Sequence, residues 1–405
     1  MSNIIIVGGG ASGLMAAVFA ARQKNKVTVL EHKDKIGKKI LATGNGKCNY
    51  TNLDQKPEYY RGNDSSFAMK VLSAYNVDQT IGFFKELGIY PKEKSGYVYP
   101  NSEQASSIVE VLRLELEQLK VNICCEVQVE EIDKLKDRYR VLSDKGEYAA
   151  DQVILAAGGC ASQNLGSDGS GFELAKRLGH RIIKPLPALV QLKSDSQYFK
   201  TLAGVRTEAM IQLFIKDKLV SKEKGELLLA AYGVSGIPIL QLSRFASKAL
   251  NENKEVHLII DFLPSLNTEE IFKLLLERIK RNPFRTMEEI LLGLLNNKLA
   301  YISLKESGIE PMALSNTIHK NKLQDLVHQL KEWKVNITDT NPFDQAQVTA
   351  GGVDTTEIDP NTLESKINKG LYLAGELLDI DGTCGGYNLQ WAWSTGALAG
   401  KSCGI

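Results

Sequence analysis

The stretch that decides the fold is NIIIVGGGASGLMAAVFAARQKNKVTVLE, Asn3 to Glu31. Ile4 to Val7 form a short β-branched run of the kind buried on both faces of a parallel sheet. Gly8, Gly10 and Gly13 follow at once and fill a G-x-G-x-x-G pattern. The first glycine permits a tight turn, the second lets a pyrophosphate approach the backbone, and the third lets helix and strand pack closely. A helix is predicted from about Ala11 to Gln23, with its N-terminal amides facing the phosphates. Val27 to Leu30 form the next strand. Glu31 ends it, roughly 20 residues past the glycines, where a carboxylate accepts hydrogen bonds from ribose hydroxyls. Strand, turn, helix and acid in this order predict dinucleotide binding; the alternative is a glycine-rich turn that only packs.

The fingerprint does not separate NAD from FAD, but three later segments do. After Glu31 the chain reads HKDKIGKKILATGNGKCNYTN, His32 to Asn52, where an NAD domain would continue into its next crossover. A second glycine loop, Thr43 to Cys48, follows there, with backbone amides to line a flat ring. Lys38 and Lys39 precede it, either near phosphates or flavin carbonyls or on a solvated basic face. DQVILAAGGCA, Asp151 to Ala161, is an apolar strand that ends in Gly158 and Gly159 and is expected to turn sharply beneath the cofactor. GSDGSGFELAKRLG, Gly166 to Gly179, opens a helix but lacks the strand and acid of a second dinucleotide motif.

The last signal is LAGELLDIDGTCGGYNLQWAWSTG, Leu373 to Gly396. A buried strand over Leu371 to Ala374 ends in Gly375-Glu376, and a helix is predicted from about Tyr387 through Ala399. A helix N-terminus aimed at a flavin favours the anionic edge of its reduced ring, a feature an NAD site does not need. Gly385 and Gly386 let the backbone come close. Both ends of the chain are therefore expected to wall one FAD site.

Composition agrees with an ordinary soluble protein: 405 residues, 43% hydrophobic and 24% charged, enough for two or three domains. A net charge of +1 gives no reason to expect nucleic acid as a partner. The six cysteines show no Cys-x-x-Cys and no zinc spacing, so no metal site is read and the thiols are taken as reduced, which fits the cytoplasm. No run of about 18 apolar residues occurs, and glycines interrupt the apolar N-terminus where a signal peptide would have its core.

The middle of the chain carries no dinucleotide fingerprint. RTEAMIQLFIKDKLVSKEKGELLLAAYGVSGIPILQLS, Arg206 to Ser243, alternates like antiparallel strands, and HLIIDFL, His257 to Leu263, adds another. Beyond Pro264 the pattern turns helical. Asn267 with Glu270 and Thr286 with Glu289 have capping-box spacing, with Pro283 between the two helices. The expected fold is α/β, with a discontinuous FAD domain over 1–190 and 345–405. The insert, 191–344, is expected to be β-barrel-like over 191–263 and helical over 264–335.

The motifs VGGGASGLMAA, GKKILATGNGKCNYTN, VTAGGVDTTEIDPNTLESK and GLYLAGELLDIDGTCGGYNLQWAWSTG occur in order along nearly the whole chain. Together they resemble bacterial NAD(P)/FAD-dependent oxidoreductases, the family that includes 3-dehydro-bile-acid Δ4,6-reductase and aminoacetone oxidase-like flavoproteins. The resemblance implies a glutathione-reductase-like FAD domain with an inserted middle domain. It assigns Gly8, Gly10, Ser12, Gly13 and Glu31 to the ADP half. Lys39, Thr43, Gly44, Asn45, Cys48, Asn49, Gly375, Glu376, Gly386, Tyr387 and Asn388 are assigned to the flavin, and Gly158 to the turn beneath it. In relatives an Asp often stands at Glu376 and binds the ribityl chain; here the longer acid, Asp379 or Asp381 would do so. Where many relatives carry Thr-His, this chain has Ala230-Ala231, so that histidine acid/base is absent.

Tyr387 and Tyr232 are the candidates for proton donor, each with a structural alternative as a packed or hydrogen-bonded residue. Cys48 and Cys384 lie in cofactor loops without a neighbouring base to activate them. Trp391 and Trp393 are read as core. The expected activity is reduction of a C=C conjugated with a carbonyl on a small molecule, by hydride from flavin N5 with NAD(P)H as donor. An oxidase of a small amine, a non-catalytic flavoprotein and a simple NAD dehydrogenase are the rivals.

Overall fold

A computed structural model describes residues 1–404. It divides into two compact units: Met1–Pro187 with the chain from Phe343 onward, and Ala188–Pro342. In the first unit β1 (Asn3–Val7), α1 (Ala11–Arg22) and β2 (Lys26–Leu30) form the opening βαβ. Three later strands join them: β3 (Asn122–Cys124), β4 (Gln152–Leu155) and β5 (Leu371–Leu373). All pair in parallel in the order β5-β4-β1-β2-β3, with Val7 opposite both Leu155 and Leu30, and Leu155 opposite Leu373. Ile4, Ile6, Val29, Val153, Ile154, Leu155, Leu371 and Leu373 are inaccessible to solvent or nearly so, as near-continuous apolar strands of a sheet covered on both faces require.

The C-terminal helix α2 (Tyr387–Ser402) packs along α1. Neither helix has a polar face to speak of: Ser12 to Val18 are all buried on α1, as are Trp393 to Gly400 on α2. Their backbones meet through glycine. A Cβ on Gly396 would lie 2.3 Å from the Ser12 carbonyl oxygen, and one on Gly400 2.4 Å from that of Ala16. Trp391 and Trp393, about 1% and 0% exposed, are core residues that also donate indole N–H bonds to the carbonyls of Gly375 and Tyr50.

The second unit has its own core. Seven strands pair antiparallel in the spatial order 333–337, 256–261, 206–215, 218–230, 233–235, 192–193, 339–340. The two edge strands, Trp333–Ile337 and Asp339–Thr340, are separated in sequence by Thr338 alone. A single residue spans at most about 3.5 Å, so the sheet curls until its edges meet. Helices Thr268–Arg281 and Met287–Leu291 begin at capping boxes on Asn267 with Glu270 and on Thr286 with Glu289.

One sequence expectation is corrected here. IPILQLS does not continue the strands but opens a helix, Ile237–Asn251. Gly236, at φ +104°, ends the strand, and Pro238 sits in the first helical turn, where its missing N–H costs nothing. The buried Ile239, Leu242, Ala246 and Ala249 recur at helical spacing.

The crossing of α1 and α2 gives a direct test. Gly396→Val is expected to destabilise the protein by more than about 3 kcal/mol, because the carbonyl it meets is fixed backbone. Gly82→Ala, in an open helical position with nothing within 4 Å of the added carbon, should be neutral or stabilising. Calorimetric melting of the two variants beside the wild type reads the difference.

Candidate functional site

The glycines at the head of the chain do three separate jobs. Gly8 has φ +108°, and a Cβ there would lie 2.5 Å from the Ala156 carbonyl oxygen; at Gly13 it would lie 1.9 Å from the Gly8 oxygen. At Gly10 it would meet no protein atom within 4 Å. The first two are glycine because protein fills the space, the third although the space is open. Gly10 also caps α1 without any side-chain hydrogen bond, and the first turn carries no acid, so the leading amides are free for an anion. Glu31, 8% exposed, accepts the Gly9 N–H at 2.7 Å and the Lys33 N–H at 2.8 Å, which fixes its carboxylate at the end of β2. Beside it, His32 Nε2 is buried without a hydrogen bond, 4.0 Å from the Asp168 carboxylate.

The two lysines divide. Lys38 pairs with Asp34 one turn away, whereas Lys39 Nζ reaches Glu376 Oε2 at 2.7 Å and Ser167 Oγ at 3.4 Å. Glu376 Oε1 accepts the Thr349 N–H at 2.8 Å, and the Thr349 hydroxyl accepts the N–H groups of Cys160 and Ala161. Gly375 is held from both sides: its N–H goes to Thr395 Oγ1 and its carbonyl takes the Trp391 indole. A Cβ on Gly375, at φ +79°, would lie 2.4 Å from Ser12 Oγ, so head and tail touch at this point. Gly158, at φ +76°, turns against Ser167. Asp379 and Asp381 are almost fully buried, and Asp379 accepts the Asn63 N–H.

In the second loop Gly44, Asn45 and Cys48 all have φ near +57°. Thr43 Oγ1 donates to the Ile40 carbonyl. Cys48 is fully buried, and burial pushes its thiol up to about 12; burial also pushes the Cys160 thiol up, to about 11, with Glu376 adding to it. Neither is activated as a nucleophile. Asn49 Oδ1 is buried with no donor from the protein, and faces the Gly386 backbone 3.0 Å from where a Cβ would stand. Gly386, at φ +94°, starts α2 with no side-chain cap and no acid in the first turn. Tyr387, 6% exposed, lies against Tyr59 at 4.8 Å and Tyr60 at 5.8 Å between ring centres. The Asn388 amide is engaged on Gly382, accepting its N–H and donating to its carbonyl, so the side chain braces the loop. Tyr232 sits in the second unit, on the turn between strands 218–230 and 233–235, and is 37% exposed.

Ser167 and Thr349 were not singled out from sequence. Both fall inside quoted motifs, GSDGSG and VTAGG, yet the groups that meet their hydroxyls, Lys39 for Ser167 and Cys160 and Ala161 for Thr349, lie more than a hundred residues away. Among the described residues no cluster of His, Cys, Asp and Glu could hold a metal, and no helix is long and apolar enough to cross a membrane.

Two helices that begin on uncapped glycines, one of them the open Gly10, and an orphaned acceptor at Asn49 together fit an elongated ligand with an anionic middle and a polar ring. The HI0933-like protein Rossmann domain matches residues 2–402 of this chain. The chain belongs to that FAD-binding family. It is 45% identical to the 3-dehydro-bile acid delta(4,6)-reductase of Clostridium scindens over 99% of both chains. It is also 31% identical to the ribosomal RNA dihydrouridine synthase of Haemophilus influenzae, over 97% of this chain and 96% of that one. The relative of the same name in Escherichia coli is 29% identical, at 97% and 96% coverage. This HI0933-like protein is an FAD-dependent oxidoreductase, and its first unit carries Gly8 to Gly13, Glu31, Lys39, Asn49, Glu376 and the start of α2.

Gly10 separates binding from folding. Gly10→Ala should leave the melting temperature of the cofactor-free protein within about 2 °C, since nothing stands within 4 Å of the added carbon. It should weaken FAD at least about tenfold by blocking phosphate approach. Calorimetry and flavin fluorescence titration measure the two effects.

Proposed function

We propose that this protein reduces a carbon–carbon double bond conjugated with a carbonyl in a small molecule, with NAD(P)H as the electron donor. One observation carries the reading: full-length relatives named for very different substrates share a single bond change. A 3-oxo bile acid with unsaturation at positions 4 and 6, and the uracil ring that becomes dihydrouridine, both present a C=C in conjugation with a carbonyl. A small molecule is preferred to RNA because the 45% identity lies on the bile-acid side and the net charge is +1.

When bound, FAD supplies two-electron chemistry, taking hydride from a nicotinamide and giving it to an electron-poor carbon. The chain's own residues position and protonate. The amides leading α1, with Gly10, take the pyrophosphate; Glu31, with both oxygens already oriented by Gly9 and Lys33, takes the ribose. Lys39 and Glu376, paired at 2.7 Å, offer a cation and an acceptor to the phosphate and ribityl part. Thr43 to Asn49 and Gly386 line the ring. Tyr387 is the proposed proton donor: burial foremost, with Tyr59, Asp54 and Tyr97, raises its phenol well above the ordinary value and keeps it protonated. Tyr232 is the second candidate, and segment 191–344 the proposed substrate domain.

Anaerobic stopped-flow spectroscopy tests the reading. Flavin should bleach with NADH or NADPH and recover on mixing with a conjugated enone. Bleaching by a primary amine, with peroxide on re-aeration, would point to an oxidase; recovery with unmodified ribosomal RNA alone would move the substrate to RNA. A colourless protein after reconstitution would remove the flavin.

Tyr387→Phe is expected to lower kcat about a hundredfold while FAD affinity stays unchanged. Because the phenol is raised rather than lowered, wild-type kcat should show no loss from its ionisation between about pH 6 and 9. A pH profile of both proteins checks this.

A further inference from the structure

Thr349 is fully buried and joins segments far apart in the chain. Its hydroxyl oxygen accepts the N–H of Cys160 at 2.8 Å and of Ala161 at 3.1 Å. Its own N–H donates at 2.8 Å to Glu376 Oε1, whose other oxygen receives Lys39 at 2.7 Å. The three groups are packed without slack: a Cβ on Gly159 would stand 2.4 Å from Thr349 Oγ1 and 2.9 Å from Glu376 Oε1. The loop so held is bent at Gly158, φ +76°, and Ser162, φ +63°, conformations that a free chain would leave. The glutamate side chain has several rotatable bonds to fix. It requires restraint at both oxygens to present one face.

Resting on the FAD reading above, we propose that Thr349 is a positioning residue of the cofactor site. It ties the Gly158–Ala161 turn and the Glu376 carboxylate into one rigid wall. A hydroxyl is needed because two amides, that of Ala161 buried and that of Cys160 half-buried, converge on one acceptor, and a hydrocarbon in its place leaves both unpaired. The consequence falls on the cofactor and its electronic surroundings, because Gly158 turns against Ser167, whose hydroxyl accepts from Lys39.

The test is a graded series at one position, read on FAD itself. Thr349→Ser keeps the acceptor, Thr349→Cys weakens it and Thr349→Val removes it while retaining the branched shape. Each cofactor-free protein is titrated with FAD by fluorescence, and the visible circular dichroism of the bound flavin is recorded. FAD affinity should stay within about threefold for Ser and fall about ten- to hundredfold for Val, with Cys between. The flavin circular dichroism should change in the same order. In the Thr349→Val/Glu376→Gln double variant the losses should be less than additive, as for residues acting through one another. Wild-type affinity and dichroism in Thr349→Val, or full additivity with Glu376→Gln, overturns the proposal. If the valine variant does not fold, equal affinities for Ser and Cys overturn it instead. Wild-type protein that takes up no FAD overturns the cofactor assignment, and this proposal with it.

Discussion

The structure depends on one close approach: the helix that follows the first strand lies directly against the helix that ends the chain. Gly396 and Gly400 are the reason it can, since any side chain at either would drive into the carbonyls of Ser12 or Ala16. With the axes this near, Gly375 reaches Ser12, and two glycine-capped N-termini, at Gly10 and Gly386, open toward cofactor loops on one unit. Each alone is a common anion-binding device. Neither start has a side-chain cap or an acid in its first turn, so both keep the partial positive charge of their leading amides.

Polar side chains buried around the terminal helix make that wall rigid. Gln390, inaccessible to solvent, accepts from Thr51 and donates to Thr80 and Ser394, and Ser394 donates onward to the Tyr75 carbonyl. Three of these bonds cross more than three hundred positions of sequence, and each group would be costly to bury unpaired. The same logic governs Glu376. Its two oxygens are claimed by Thr349 and Lys39 before any ligand arrives, so it presents a preset orientation instead of searching for one.

What could be read from the sequence was local. Gly8, Gly10, Gly13 and Glu31 stood out because their spacing forms one pattern within thirty residues, and the capping boxes at Asn267 and Thr286 set helix starts at still shorter range. The different fates of Lys38 and Lys39 were not legible: one turns to Asp34 nearby, the other to Glu376 at the far end of the chain. Asn388 could be placed at the start of α2, but not its amide, which is occupied by Gly382. Ile237 to Ser243 misled because apolar residues after two genuine strands look like a third when the helix-starting proline is overlooked. The curl of the seven-stranded sheet follows only from knowing which strands are neighbours.

The placement of β5 has a consequence for synthesis on the ribosome. Leu371–Leu373 completes the edge of the parallel sheet beside β4, yet it leaves the exit tunnel more than two hundred residues later. Until then the hydrogen-bonding edge of Gln152–Leu155 lacks its partner, while the intervening stretch, with its own core, emerges in between. Maturation therefore runs out of chain order: the middle is free to condense first, and the parallel sheet is complete only after Leu371–Leu373 has emerged. A prematurely terminated product would display an unpaired apolar strand, the kind of surface that recruits chaperones or seeds aggregates.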